Sequence, residues 1–137
     1  MSFKLDDIQY NAALKLNAEY RYHNFLQGAK KGLEVFVLKK DEDDILFLET
    51  DGDNGETISV LPLWSHERFA LNYAENNEIA QGYRPTAIGL AIFLESWLPQ
   101  LNASGIEYAI FPVGENDCNI VTDEDLLRDF EYSNPEQ

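Results

Sequence analysis

The segment at residues 60–70 constrains the fold of this chain most strongly. It reads Val-Leu-Pro-Leu-Trp-Ser-His-Glu-Arg-Phe-Ala, which predicts a strand that turns directly into a helix. We expect Ser65 to cap that helix, because serine is strongly preferred at a helix start. We expect Pro62 to end the strand, because proline donates no ladder hydrogen bond. The junction therefore places Trp64 and His66 side by side where the strand becomes the helix.

The remaining patterns predict a single α+β domain, in which a small, mostly antiparallel sheet of about 4–5 strands packs with about 4 helices. Turn chemistry between the first three strands favours an antiparallel meander. The predicted strands cover residues 34–38, 45–50, 57–63, 107–113 and 119–121, and the predicted helices cover residues 6–30, 65–74, 90–101 and the segment after Thr122. We expect an N-terminal helical extension at 1–15, the domain at 16–132 and a frayed tail at 133–137.

The most regular of these helices carries one apolar stripe and follows a loop at residues 76–85. The stripe consists of Leu90, Phe93, Leu94, Trp97, Leu98 and Leu101. Pro99 should kink or end this helix near its last turn. In the final helix, Thr122 should be the cap and Asp125 should complete a capping box.

Length, hydropathy and cysteine content indicate the compartment. A chain of 137 residues suits one ordinary domain. Its longest apolar stretches are interrupted by Gly89, Glu95 and Pro99, so we expect no membrane span. The chain becomes polar within its first six residues, so we expect no signal peptide. Cys118 alone cannot form an internal disulfide, which favours a reducing, cytoplasmic location.

The charge balance is strongly acidic. Ten basic residues against 25 acidic ones give a formal net charge of −15. Such a surface repels phosphate backbones and anionic membranes, so we expect neither nucleic acid nor membrane as a partner. The acids gather at 41–44, 49–56 and 123–125. One interpretation is solubility alone; the other is an acidic face that receives a basic protein.

Few residues could carry chemistry. His23 and His66 are the only histidines, and with one thiol they cannot supply the four ligands of a structural zinc site. The acidic turn at 51–56 lacks the ligand pattern of a calcium loop. Ser65 and His66 are adjacent at a helix start and point in different directions, so they make a poor catalytic pair. We therefore expect no cofactor, no metal and no catalytic group.

Five residues form the candidate binding surface: Trp64, His66, Arg68, Asp43 and Asp44. Junctions between strands and helices lie at sheet edges where clefts form, so an aromatic, a histidine and an arginine there could recognise a partner. The two aspartates belong to a predicted hairpin loop. The alternative interpretation is a packed tryptophan with a solvated histidine and arginine.

Several segments together resemble an uncharacterised bacterial family, domain of unknown function 2750. They are Glu-Tyr-Arg-Tyr-His-Asn-Phe-Leu at 19–26, the junction at 60–70, Phe-Leu-x-x-Trp-Leu-Pro-x-Leu at 93–101, and Phe-Pro at 111–112. The resemblance covers roughly residues 16–130, and Phe36 departs from it where members often carry tryptophan. SseB-like domains are more distantly similar. Neither resemblance supplies catalytic residues, and a fold alone does not specify a function.

Two functions from different classes fit these observations. The first is a small, acidic, cytoplasmic interaction or regulatory module that binds a basic protein, as a monomer or weak homodimer. The second is an enzyme that uses carboxylates and His66 in a shallow cleft to act on a small molecule. A deep pocket around His66 favours the enzyme. A flat apolar patch rimmed by acids favours the module.

Overall fold

A computed structural model describes residues 5–51, 55–114 and 118–130 of the chain. The helices are α1 (Asp7–Leu14), α2 (Ala18–Gly32), α3 (Glu67–Asn76), α4 (Leu90–Ile92), α5 (Leu98–Ala103) and α6 (Asp123–Asp129). The strands are β1 (Glu34–Asp41), β2 (Asp44–Ile45), β3 (Leu48–Asp51), β4 (Thr57–Leu63), β5 (Arg84–Gly89), β6 (Glu107–Ile110) and β7 (Asn119–Val121). Within these described ranges, a 3₁₀ turn covers Glu78–Ala80 and a π turn covers Phe93–Trp97.

The described strands form two sheets, in the orders β2-β1-β5 and β3-β4-β6-β7. Every pairing is antiparallel except that of β4 with β6, which is parallel. The predicted class, one small α+β domain with mostly antiparallel strands, is confirmed. The predicted number of strands is too low, because the chain builds two small sheets where one was expected.

The backbone of Trp64 joins the two sheets. The Phe36 N–H donates to the Trp64 carbonyl at 2.7 Å, and the Trp64 N–H donates back to the Phe36 carbonyl at 3.0 Å. The predicted meander is wrong, because its middle strand, at 45–50, is divided into β2 and β3, which lie in different sheets. The chain crosses between the sheets at residues 46–47.

Strand β5 is absent from the sequence prediction, which placed a loop at residues 76–85. It pairs antiparallel with β1 along its whole length, from Arg84 opposite Lys39 to Gly89 opposite Glu34. Pro85 and Gly89 argued against a strand by composition. Proline is tolerated here because β5 is the outer strand of its sheet, where a missing N–H can face away from the ladder.

The predicted helix with the apolar stripe is present and continues past Pro99 to Ala103. Its π turn precedes the proline, and the Leu98 N–H bonds to the Phe93 carbonyl five residues back. A wider turn at this point makes room for the proline ring without breaking the helix. Phe93, Leu94 and Leu98 are buried, while Leu90, Trp97 and Leu101 pack against the core from its margin.

The final helix begins as predicted. The Thr122 side chain accepts from the Asp125 N–H at 3.2 Å, and the Asp125 carboxylate accepts from the Thr122 N–H at 3.1 Å. The predicted tail at 133–137 and the centre of the turn at 51–56 lie outside the described residues. No helix in the described part of the chain is long and apolar enough to cross a membrane.

Candidate functional site

Trp64 is a core residue. It is 0% exposed, its indole N–H donates to the Pro112 carbonyl at 3.0 Å, and its ring lies 5.3 Å from that of Tyr73. A fully buried side chain has no surface to offer a partner protein. The hypothesis that Trp64 itself contacts a partner is therefore wrong for this conformation, and its role is to support the residues above it.

His66, rather than Ser65, caps helix α3. Its backbone is extended, and its Nδ1 accepts a hydrogen bond from the Arg68 N–H at 3.1 Å. The predicted serine cap is wrong by one residue, because the helix begins at Glu67. The Ser65 hydroxyl is buried and has no hydrogen-bond partner among the described residues. His66 is itself only 6% exposed, between the rings of Phe36 and Phe69.

Arg68 holds the N-terminal helix against α3. Its guanidinium donates to the Leu5 carbonyl and to the Asp7 carboxylate, each at 2.9 Å. The same group lies 4.1 Å above the ring of Tyr10. Although the side chain is 35% exposed, both of its terminal nitrogens donate a hydrogen bond within the chain. Arg68 is thus placed to fasten α1 rather than to meet a partner.

Asp43 and Asp44 lie at the turn between β1 and β2, as predicted. The Asp43 N–H donates to the Asp41 carboxylate at 3.0 Å, and Asp44 accepts from the Tyr83 hydroxyl at 3.3 Å. This turn is five residues along β1 from Phe36, which is about 17 Å of strand. The structure therefore separates the two aspartates from the junction that contains His66.

A groove of about 410 Å³ is lined in part by Tyr73 and Pro112, the two residues that Trp64 contacts. Its apolar lining is Leu48, Tyr73, Ile79 and Pro112, and its acidic residues are Glu49 and Glu78. We call this the acid-rimmed groove. Both glutamates are exposed, and Ile79 is 58% exposed. The size falls within the range of ligand-binding clefts. The groove combines an apolar floor with negative charge at its margin.

Trp64 supports the floor of this groove, since it contacts both Tyr73 and Pro112 from below. Phe111 turns the chain into position with φ of 53°, a conformation that costs a non-glycine residue on the order of 1 kcal/mol. Two hydrogen bonds hold that turn. The Phe111 N–H donates to the Leu63 carbonyl at 2.8 Å, and the buried Arg21 Nε donates to the Phe111 carbonyl at 3.1 Å.

Sequence reasoning missed the acid-rimmed groove because its walls come from four separate parts of the chain. The four parts are β3 with Leu48 and Glu49, α3 with Tyr73, the 3₁₀ turn with Ile79, and the segment after β6 with Pro112. One local signal was available. Ile79 is an apolar residue in a loop rich in asparagine and glutamate, and such a residue is informative when it is exposed beside other apolar groups.

A second cleft, of about 520 Å³, lies between α2 and α6. The Tyr22 hydroxyl donates to the Asp129 carboxylate there, and the other polar lining residues are Glu19, His23 and Asn119. Burial and the hydrogen bond to Asp129 raise the pKa of Tyr22. A tyrosine of raised pKa makes a poor base near neutral pH, so this pair is suited to holding two helices together.

Asp129 should make the stability of the folded protein depend on pH. The hydrogen bond from Arg128, aided by that from Tyr22, holds the pKa of the Asp129 carboxyl below its ordinary value. A lowered pKa in the folded state stabilises the protein above the ordinary pKa of about 4, and this contribution disappears as the pH falls through the folded value. We expect the urea midpoint of wild type to exceed that of Asp129→Asn near neutral pH, with the difference shrinking below about pH 4. A difference independent of pH would contradict the assignment.

Among the described residues no three side chains of histidine, cysteine, aspartate or glutamate are grouped to hold a metal ion. Cys118 also lines the acid-rimmed groove.

Comparison with known proteins places the chain in a family. No curated protein and no solved structure gives a significant match. The model of the family described as "Protein of unknown function (DUF2750)" matches residues 22–130, from the first turns of α2 to the end of α6. The more distant similarity to SseB-like domains stays a prediction. Since the match covers most of the sequence, the chain belongs to the DUF2750 family of proteins of unknown function.

Proposed function

We propose that this protein is an interaction module that binds a basic partner protein through the acid-rimmed groove. The single observation that carries the proposal is the composition of the groove. Leu48, Tyr73 and Pro112 form its apolar floor, and the exposed residues Glu49 and Glu78 line the same groove. The surface is a groove rather than the flat patch expected for a module, but it combines apolar and acidic residues and His66 does not line it, which favours a module over an enzyme that uses His66.

A lysine or arginine side chain of the partner fits this chemistry. Both residues bury an aliphatic stem along apolar surface while the charged head stays near water. Ile79 and Pro112 offer that surface, and Glu49 and Glu78 offer carboxylates for the head. Arginine is also enriched at the centres of protein interfaces. The partner therefore presents at least one basic side chain to the groove.

The charge of the whole molecule assists the encounter. A net charge of −15 attracts a basic protein over distances longer than a contact. Asp43 and Asp44 lie outside the contact but contribute to this field, because Asp44 precedes Glu49 by five residues, or at most about 18 Å of chain, which is within the Debye length of roughly 30 Å at low salt. Charges outside the contact raise the association rate more than they deepen affinity. We assign the aspartates this steering role.

The proposal includes a cytoplasmic location, because a chain with a single cysteine forms no internal disulfide and so suits a reducing compartment. It includes a monomer or weak homodimer, because copies that each carry −15 repel one another. For the same electrostatic reason nucleic acid and anionic membranes are not the proposed partners.

The enzyme alternative stays a prediction without support from the geometry of His66. That imidazole is 6% exposed, and its Nδ1 accepts the hydrogen bond that caps α3. If the purified protein turned over a small molecule and His66→Ala abolished that activity, the enzyme hypothesis would replace the proposed interaction module.

Association kinetics test the steering role. A basic peptide selected from a random library on the purified protein serves as the probe. Raising salt from about 0.01 M to about 0.15 M shortens the Debye length from roughly 30 Å to 8 Å. We expect the on-rate to fall by on the order of tenfold, and Asp43→Asn with Asp44→Asn to lower the low-salt on-rate while the off-rate is unchanged.

The matched control is Glu107→Gln with Glu124→Gln, which removes the same formal charge. These residues line a cavity at the N-terminal end of β6, whereas the groove follows its C-terminal end. We expect a smaller change in on-rate from this pair. A salt-independent on-rate, or a library that selects peptides without basic residues, would overturn the proposed function.

A further inference from the structure

Strand β3 has an edge that no other described strand covers. It is the outer strand of its sheet and pairs with β4 from Leu48 opposite Val60 to Asp51 opposite Thr57. Within the described part of the chain, the ladder of β3 is made with β4 alone. Backbone N–H and C=O groups on the other side of such a strand are a template for another extended segment.

The side chains of β3 alternate between exposed acids and half-buried residues, and this pattern favours a particular sequence in the added segment. Glu49 and Asp51 are exposed and share one face, while Leu48 and Thr50 are half-buried on the other. Carboxylates two residues apart on a strand are separated by about 6.8 Å along it. A segment with basic residues at every second position would place them at the same interval.

The same charges argue against a second copy of this chain as the occupant. Two β3 strands paired edge to edge would bring like charges across the ladder, which is unfavourable. Within this sheet the two outer strands differ. At the other edge, β7 has no charged residue in its sequence Asn-Ile-Val, and Ile120 is 38% exposed. Of the two outer strands of this sheet, β3 is therefore the one that carries acids.

The edge of β3 leads into the acid-rimmed groove. Leu48 and Glu49 belong to both, since they begin β3 and line the groove. A segment laid along the edge would therefore pass one of its side chains to the floor formed by Tyr73 and Pro112.

We propose that β3 binds its partner by strand addition, with an extended segment in which basic and apolar residues alternate. The inference rests on the proposed function and specifies its partner. Main-chain hydrogen bonds to β3 supply affinity, and the alternate lysine or arginine side chains meet Glu49 and Asp51. The apolar residues between them face Leu48 and Thr50.

Four synthetic peptides test this proposal on the full chain. The first alternates lysine and valine over eight residues. The second contains the same residues as a block of lysines and a block of valines. The third is the alternating peptide with N-methylated valines, and the fourth is the alternating peptide with N-methylated lysines. Each methylated peptide thus lacks the N–H donors along one of its two edges. We expect the alternating peptide to bind about tenfold or more tightly than the block peptide, and one of the two methylated peptides to lose binding. Amides of β3 should exchange with solvent more slowly in the complex.

The outcomes separate this inference from the proposed function. Equal binding of the alternating and block peptides, or unchanged binding of both methylated peptides, would overturn strand addition. Suppose that strand addition is overturned in this way, but the peptides bind more weakly to Glu49→Lys with Glu78→Lys than to wild type. The proposed binding of a basic partner then stands without strand addition. If no peptide binds, or binding ignores those substitutions, both proposals are overturned.

Discussion

Replacing Trp64 with alanine should lower the free energy of unfolding by about 3–5 kcal/mol, the range for truncating a buried large aromatic side chain. Trp64 is 0% exposed, and the substitution also leaves the Pro112 carbonyl without its donor. The loss should appear in urea denaturation followed by circular dichroism, because the substitution removes a fluorescent reporter. It should also deform the acid-rimmed groove from below.

Two control variants sharpen this result. Trp64→Phe keeps most of the apolar packing and loses the indole N–H, so its cost should be smaller. Trp97→Ala removes the other tryptophan, which is only partly buried beside Phe93, and should also cost less. A Trp64→Ala midpoint equal to that of wild type would show that the residue does not support the core.

Reversing both charges of the acid-rimmed groove should nearly abolish binding of a basic peptide. In Glu49→Lys with Glu78→Lys, two attractions become two repulsions at the contact itself. Like-charge juxtaposition at an interface costs several kcal/mol, so we expect the dissociation constant to rise by on the order of 100-fold or more. Isothermal titration calorimetry against the selected peptide measures the change.

The matched control reverses two charges elsewhere. Glu107→Lys with Glu124→Lys produces the same net charge at the opposite end of β6. This pair should weaken binding much less, and mainly through the on-rate. Equal losses in the two double variants would indicate that net charge alone governs binding and that the groove has no specific role. Thermal melting verifies that both variants remain folded.

Local patterns in the sequence predict much of the fold. The period of the stripe at 90–101 predicts a helix whose buried residues include Phe93, Leu94 and Leu98, and the structure agrees. The capping box of Thr122 and Asp125 is equally local and is confirmed. Such features depend on residues a few positions apart, so the sequence specifies them directly.

Long-range pairing explains what the sequence did not predict. Strand β5 forms because β1 offers a partner along its whole length, although Pro85 and Gly89 are poor strand residues. The left-handed turn at Phe111 forms because Arg21, 90 residues away, bonds its carbonyl. Neither cause is visible within a short window of sequence.

The candidate site was predicted only in part. The junction at 60–70 was expected to form the site, but none of its residues lines the acid-rimmed groove, and Trp64 contacts only Tyr73 and Pro112 of its lining. Trp64, His66 and Arg68, however, make their hydrogen bonds within the fold. The residues that line the groove come together only when β3, α3 and the segment after β6 meet. Acidic charge at the site was predictable from composition, whereas the place where it meets apolar surface was not.

Chemical-shift mapping on isotopically labelled protein tests the central claim most directly. Titration with the selected basic peptide should shift the amides of Glu49, Glu78, Ile79 and Cys118 in a saturable manner. Shifts confined to Tyr22, His23 and Asp129 would assign binding to the cleft between α2 and α6. That result, or shifts that do not saturate, would contradict the acid-rimmed groove as the binding site.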